Sequence, residues 1–307
     1  GSSNHEAQSV IQQSDGKLVV AGSSFNGSNN YDFSLIRLRL DGTLDPTFGN
    51  GGKLLLPVGN AADKAYQLIQ QTDGKLVVVG TDALRDYAIV RLDLNGALDP
   101  SFSEDGKLVL PVGNGSDVAK SVVQQPDGKL VILGQSGQDY SLVRLHPNGT
   151  LDTSFNTTGK VLFRVTQAND QWSELALQAD GKLVLVGSAA GSMGKLISVV
   201  RYNANGTLDR SFDGDGVKTL NTSRESYGHS VIVQADGKLL VAGRISEQQG
   251  NFYIARLNPM DGAPDRSFGI DGVVNLDVNG ADEAFSVIQQ DDGKLVVVGI
   301  SDGKFSI

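Results

Sequence analysis

Five arginines, Arg37, Arg91, Arg144, Arg201 and Arg256, recur along the chain, and eight or nine residues after each stands an aspartate: Asp45, Asp99, Asp152, Asp209 and Asp265. Converging on an axis, they would form an anion or metal ring. Paired within each repeat, they would form one charge-assisted bond per repeat. Structural ion-pair networks can mimic sites, and occurrence in every repeat favours pairing. Six glutamines, Gln13, Gln71, Gln125, Gln178, Gln234 and Gln290, recur with them. They would either face a ligand or satisfy turn backbone groups, as buried amides must, and the second is expected. Asp209, Asp213 and Asp215 stand in DRSFDGDG. That stretch has the flavour of a Ca²⁺ loop but lacks its closing Glu, so a solvated turn is expected and no metal or cofactor is assigned. The chain holds three histidines, His5, His146 and His229. No convergent His, Glu and Lys set accompanies them, and catalysis requires mutual geometry, so the expectation is a non-enzymatic protein.

A further set is variable in type but fixed in place: Gln8, Tyr66, Lys120, Ser173, His229 and Phe285, each at one position of its repeat. Trp172, Tyr227, Tyr87 and Tyr140 lie near it in sequence or register. Aromatic and polar groups converging on a pocket mouth suit a sugar or a peptide. Tyr66, Lys120, Trp172, His229 and Phe285 are therefore the expected ligand contacts. Rim packing between repeats is the competing reading, which base rates for exposed aromatics favour.

The element that must position these residues is a hairpin. SVIQQSDGKLVVAG (9–22) returns as QLIQQTDGKLVVVG, SVVQQPDGKLVILG, ELALQADGKLVLVG, SVIVQADGKLLVAG and SVIQQDDGKLVVVG, the DGK aspartates falling 53 to 58 residues apart. Two apolar runs flank Asp-Gly, whose glycine supplies the positive φ of a tight turn. A second block follows each hairpin: DGTLDPTFG, NGALDPSFS, NGTLDTSFN, NGTLDRSFD and DGAPDRSFG, with Phe48, Phe102, Phe155, Phe212 and Phe268 as expected core plugs. Four short strands, A to D, in about 55 residues describe a β-propeller blade. The fold class expected is all-β: a six-bladed propeller of four-stranded antiparallel blades, the sixth incomplete, with almost no helix. One domain over residues 1–307 is expected, with units of about 7–60, 61–115, 116–168, 169–224, 225–280 and a partial 281–307.

In the first unit, A is Ser9–Gln13, B is Lys17–Gly22, C is about Phe33–Leu40 and D is about Lys53–Val58. Residues 1–8 then read as a D–A loop. Pro57 and Pro111 mark D as an edge strand. The apolar A strands read as buried on both faces. In such a meander the A–B and C–D turns share one end of the blade, and the B–C and D–A loops share the other. The uniform blocks thus fall together, and the irregular loops 23–32, 81–87, 135–140, 188–196 and 244–253 fall together at the opposite end. Varied loops on a constant scaffold are where binding is expected.

With a net charge of −9 the chain is a poor fit to nucleic acid or to anionic membranes. It has no Cys, which excludes a disulfide framework and a thiolate nucleophile. No apolar run approaches a membrane span. The expected partner is a protein or a glycan, with neither nucleic acid nor membrane insertion. The chain ends partway into a strand C, which reads as a piece cut from a longer protein.

The pattern xVIQQxDGKLVVxG…(F/Y)xLxRL…(D/N)GxLDxxFGxxG resembles the delta-60 repeat family of bacterial β-propeller repeats. Gln13, Asp15, Gly16, Lys17, Gly22, Arg37, Leu38, Gly42, Leu44, Asp45 and Phe48 carry the match, with their equivalents in later units. The repeat is also similar to NHL-type blades. The resemblance implies a propeller, often within large secreted or surface-associated bacterial proteins, and brings no catalytic residue set. A binding or scaffold module is the function it implies. A lectin-like carbohydrate-binding propeller is one alternative. A streptogramin-lyase-like enzyme, of the kind that uses His on such a face, is the other. Unit four departs at Trp172 and Leu177, and unit five at Pro264 and near Met260.

Overall fold

A computed structural model describes residues 5–27, 30–59, 62–166, 170–191, 194–220, 222–246 and 250–307. The described residues fold into six antiparallel sheets, each a simple meander, and the fold is a six-bladed β-propeller with three strands in its last blade. A single 3-10 turn at Phe155–Thr157 is the one helical element among the described residues. The chain packs as two compact units, Gly1–Leu162 and Phe163–Ile307.

The first unit opens with β1 (His5–Gln12), β2 (Leu18–Phe25), β3 (Tyr31–Leu38) and β4 (Lys53–Leu56). Its second sheet is β5 (Lys64–Gln70), β6 (Leu76–Thr81), β7 (Tyr87–Leu92) and β8 (Lys107–Leu110). Its third is β9 (Asp117–Gln124), β10 (Leu130–Ser136), β11 (Asp139–Leu145) and β12 (Lys160–Phe163), whose last residue opens the second unit. The second unit continues with β13 (Gln171–Leu177), β14 (Leu183–Gly191), β15 (Gly194–Tyr202) and β16 (Val217–Thr219). Then come β17 (Ser226–Val233), β18 (Leu239–Ile245), β19 (Asn251–Leu257) and β20 (Val273–Leu276). The last sheet is β21 (Asp282–Gln289), β22 (Leu295–Ser301) and β23 (Lys304–Ser306).

Two expectations about strands change. The first A strand begins at His5, so residues 5–8 are strand, not loop. Strand A is also not the doubly buried one. β6 and β7 are buried at every residue, whereas β5 is only partly buried, because B and C are the inner strands of the meander and A is an edge. The apolar cores lie between consecutive sheets. Val19, Phe33, Leu35 and Phe48 of the first blade pack on Leu68, Val78 and Val90 of the second. Val184, Val199 and Phe212 pack similarly on Val231, Val241 and Leu257.

The departures in unit five leave the turn intact. Pro264 makes the isolated bridge to Leu257 that Leu44 makes to Leu38, and the extra residue is taken up outward at exposed Met260.

Candidate functional site

At the uniform end, each Arg donates from Nε to its Asp: 2.9 Å for Arg37–Asp45 and 2.7 Å for Arg91–Asp99, Arg144–Asp152 and Arg201–Asp209. The fifth, Arg256–Asp265, is 2.8 Å. Each guanidinium lies over the Phe of its own blade, 4.5 to 4.8 Å from the ring centroid. Nη2 reaches the hydroxyl of Thr47, Ser101, Ser154, Ser211 or Ser267. Nη1 of Arg37 donates to the Leu94 carbonyl of the next blade, and Arg91 and Arg201 do the same to Pro147 and Pro259. The DGK lysine joins from the turn: Lys75 Nζ lies 3.0 Å from Asp99 and Lys238 Nζ 2.9 Å from Asp265. These arginines and aspartates form repeated structural pairs, with all three nitrogens of Arg37, Arg91 and Arg201 engaged.

The carboxyls respond. Burial alone would raise Asp99, Asp152 and Asp209, but the bonds from Ser101, Ser154 and Ser211 and the guanidinium charges more than reverse it. Asp209 is lowered to about 2. At Asp45 the Thr47 hydroxyl leads the lowering, and at Asp265 the Lys238 ammonium does.

The glutamine expectation needs correcting. Gln13, Gln71, Gln178 and Gln234 are buried, yet their Oε1 atoms accept no hydrogen bond. The turn is closed by their backbone, as where the Gln13 amide donates to the Lys17 carbonyl and the Gln13 carbonyl accepts from the Gly16 amide. In three repeats the residue before, Gln12, Gln70 or Gln289, adds a bond from Nε2 to the carbonyl of Gly16, Gly74 or Gly293. The carboxylates of DRSFDGDG are already engaged, Asp213 with Lys218 Nζ at 2.9 Å and Asp215 with the Val217 amide. No group of three or more His, Asp or Glu residues among those described is arranged to hold a metal. His146 lies at the uniform end, 3.6 Å from Asp152.

The opposite end is built on a device that the sequence concealed. Every A strand carries a register shift at one position, between Ala7 and Ser9, Ala65 and Gln67, Trp172 and Glu174, Gly228 and Ser230, and Ala284 and Ser286. In β9 the shift skips Lys120. Gln8, Tyr66, Lys120, Ser173, His229 and Phe285 are the extra residues of six β-bulges. A bulge leaves its residue unpaired and re-aims its side chain. The bulge needs room, and the glycine closing the apolar run of each B strand supplies it. A Cβ at Gly22, Gly80, Gly134, Gly187, Gly243 or Gly299 would overlap the carbonyl oxygen of Glu6, Lys64, Val118, Gln171, Tyr227 or Glu283. The residue after the bulge ties blade to blade, as when Glu174 accepts the Val231 amide at 2.9 Å and Ser9 accepts that of Leu68 at 3.2 Å.

Within the first unit, Lys120 Nζ lies 4.5 Å from the Tyr66 ring centroid, and burial lowers the pKa of the ammonium. In the loop before β5, Asp63 is fully buried and accepts the amides of Val58 and Gly59. Burial, with Asp32 and Asp82 nearby, raises its carboxyl. Within the second unit, the rings of His229 and Phe285 meet edge to face at 5.5 Å, and Phe285 is 45% exposed. His229 Nε2 donates to Glu283 Oε1 at 2.7 Å, which lowers that carboxyl. Arg244 and Tyr227 continue the cluster, with the guanidinium 5.2 Å from the ring centroid.

Four of the five expected contacts thus fall into two pairs, Tyr66 with Lys120 and His229 with Phe285. Trp172 does not join them. It is 3% exposed and packs on Phe163 at 5.8 Å. Its equivalents Ala65, Ala119 and Ala284 are buried as well, so this is a core position occupied by a larger side chain. Tyr87 and Tyr140 are buried too, with Tyr87 hydrogen-bonded to Ser141 at 2.7 Å. Glu283 and Arg244 carry no repeat signature, and sequence reasoning missed them. Parts of loops 23–32, 188–196 and 244–253 lie outside the described residues.

No curated protein sequence matches the chain. Solved structures do at low identity. A protein of unknown function from Dyadobacter fermentans is 12% identical, with a TM-score of 0.60 over 98% of this chain and 93% of that one. A catalytically inactive virginiamycin B lyase from Staphylococcus aureus, with quinupristin, is 12% identical, with a TM-score of 0.56 over 95% of this chain and 84% of that one. A protein of unknown function from Bacteroides caccae is 14% identical, with a TM-score of 0.53 over 92% and 81%. These likenesses speak to the fold. Five stretches, 13–48, 71–102, 125–155, 178–212 and 234–268, match one sequence family and together span more than half of the chain. The chain therefore belongs to the β-propeller family described as domain of unknown function DUF5122.

Proposed function

We propose that the chain is a non-enzymatic binding or scaffold module, contacting a protein or glycan ligand through the B–C/D–A end of its blades. One observation supports this most: a common bulge turns out a different residue in each blade, while the other end repeats the same side chains. A scaffold that varies one position within a fixed frame presents information there. The repeats are read as the delta-60 type, within a larger bacterial secreted or cell-surface protein. No helix among the described residues is long and apolar enough to cross a membrane.

A lyase-type enzyme is the second reading, favoured by the His229–Glu283 pair at 2.7 Å, which has the reach of a proton-transferring couple. His229→Ala in a lyase activity screen separates the two: loss of a measurable activity would establish the enzyme. For the module, a glycan array and a displayed peptide library supply the probes, and hydrogen exchange with the strongest hit maps the contact. Protection at the starts of β5, β9, β17 and β21 is expected. Protection confined to the DGK turns would overturn the proposal.

A further inference from the structure

Arg244 stands apart from the repeated arginines. Arg37 uses Nε, Nη1 and Nη2 at 2.9, 2.5 and 3.0 Å. Arg244 carries the same five donors, yet its Nε is buried without a hydrogen-bond partner. Nη2 reaches Ser246 only at 3.4 Å, and Nη1 lies 3.8 Å from Glu283. The buried Nε carries the cost of an unmatched donor, while the side chain as a whole is 31% exposed and open to an incoming acceptor. The nearby carboxylates do not fill that role. Glu283 Oε1 is taken by His229 at 2.7 Å, and Glu225 Oε1 by the Tyr227 hydroxyl at 2.8 Å. Lys195 adds a second cation, 5.7 Å from the Tyr227 ring centroid. Phe285, edge to face with the His229 that holds Glu283, offers an aromatic surface that is 45% exposed.

We propose that this cluster binds a carboxylated sugar, its carboxylate held by Arg244 and the apolar face of its ring laid on Phe285. The inference rests on the reading that this end of the blades binds ligand, and it names the ligand class. A planar guanidinium matches a carboxylate with two parallel donors. An aromatic ring covers the C–H face of a pyranose. Glu283 Oε2, which lies toward Arg244, is the acceptor for a sugar hydroxyl.

The test is calorimetry on the whole chain with trigalacturonate, its methyl ester and a short acidic peptide. Trigalacturonate should bind, and the ester, with the same rings and no charge, about 10-fold or more weaker. Arg244→Ala should weaken the acid about 10- to 100-fold and leave the ester unchanged. Arg244→Lys, which keeps charge but not the planar fork, should fall between. Phe285→Ala should weaken acid and ester alike. The acid–ester comparison needs no variant, so it stands even if Arg244→Ala fails to fold. Equal binding of acid and ester, an Arg244→Ala variant that binds the acid unchanged, binding of the peptide alone, or no binding at all would each overturn the inference. Equal binding with exchange protection at the bulges removes the carboxylate and keeps the binding face, whereas protection at the DGK turns removes the face itself.

Discussion

Arg91 and Arg244 are the same residue in two ends of the same kind of blade. Arg91 is 4% exposed, with a carboxylate, a hydroxyl and a carbonyl around it and a ring beneath it. Arg244 has a ring and little else at bonding distance. Repetition explains the contrast. The uniform end repeats one arrangement in which arginine and aspartate satisfy each other, and what it leaves unmatched are glutamine oxygens, not donors. At the bulged end each blade solves a different local problem, and some donors are left over. Donors that are already saturated hold structure, and a donor left over, such as Arg244 Nε, is the one for which a binding partner is proposed.

The paired aspartates of the uniform end and the buried Asp63 of the opposite end should answer acid with opposite signs, and this is the largest effect expected. The five paired aspartates are lowered, so their stabilisation is present above the ordinary carboxylate value of 3.8 and lost as pH falls through it, at Asp209 toward about 2. Asp63 and Asp86 are raised by burial, so their contribution is present below that value and lost as pH rises. Hydrogen exchange should show the DGK end opening first below pH 3.8, with the D–A loop of the second blade protected longer. Simultaneous opening of both ends would erase the distinction.

Single substitutions sharpen it. Arg91→Ala removes the buried partner of Asp99, leaves it only Ser101 and the partly exposed Lys75, and should cost about 3–5 kcal/mol in urea unfolding, whereas Phe285→Ala should cost under about 1 kcal/mol. A small loss at Arg91 would remove the structural role of the pair. Trp172→Ala empties a core position and should also cost about 3–5 kcal/mol, which would be visible as a lowered melting temperature. Gly80→Ala forces a methyl group against the Lys64 carbonyl and should cost about 1–3 kcal/mol. A neutral result there would show that the bulge yields without cost. Lys75→Ala removes an ammonium that is 31% exposed and should cost under about 1 kcal/mol, with ligand binding unchanged.

Much of this was written in the chain. DGK fixed the hairpins, and the Arg–Asp spacing fixed the buried pair, because both depend on residues near in sequence. The bulge did not show, since a register shift is a property of two strands and no single strand states it. Its trace was Gly22 and its five equivalents, residues that open no turn and so have another reason to lack a side chain. Trp172 was misplaced because an aromatic among small residues looked like an addition to a surface. The small residues were themselves buried, as Ala65 at 1% exposure shows, so the position belonged to the core. Glu283 and Arg244 meet across two blades, 39 residues apart, and no repeat brings that pairing forward.

The reach of Arg37 to the Leu94 carbonyl, and of Arg91 to Pro147, goes one blade onward and no further. For this polar link a blade needs from its neighbour only a backbone carbonyl, which any sequence supplies, and the apolar core between them is built from the same repeated positions. Duplicating or exchanging a repeat therefore carries its fastening with it, and a bulge residue can mutate without altering the fastening at the far end of its strand. A lineage with this architecture can change the side chains that its bulges turn out one blade at a time, by gene duplication and point mutation, while the frame stays as it was.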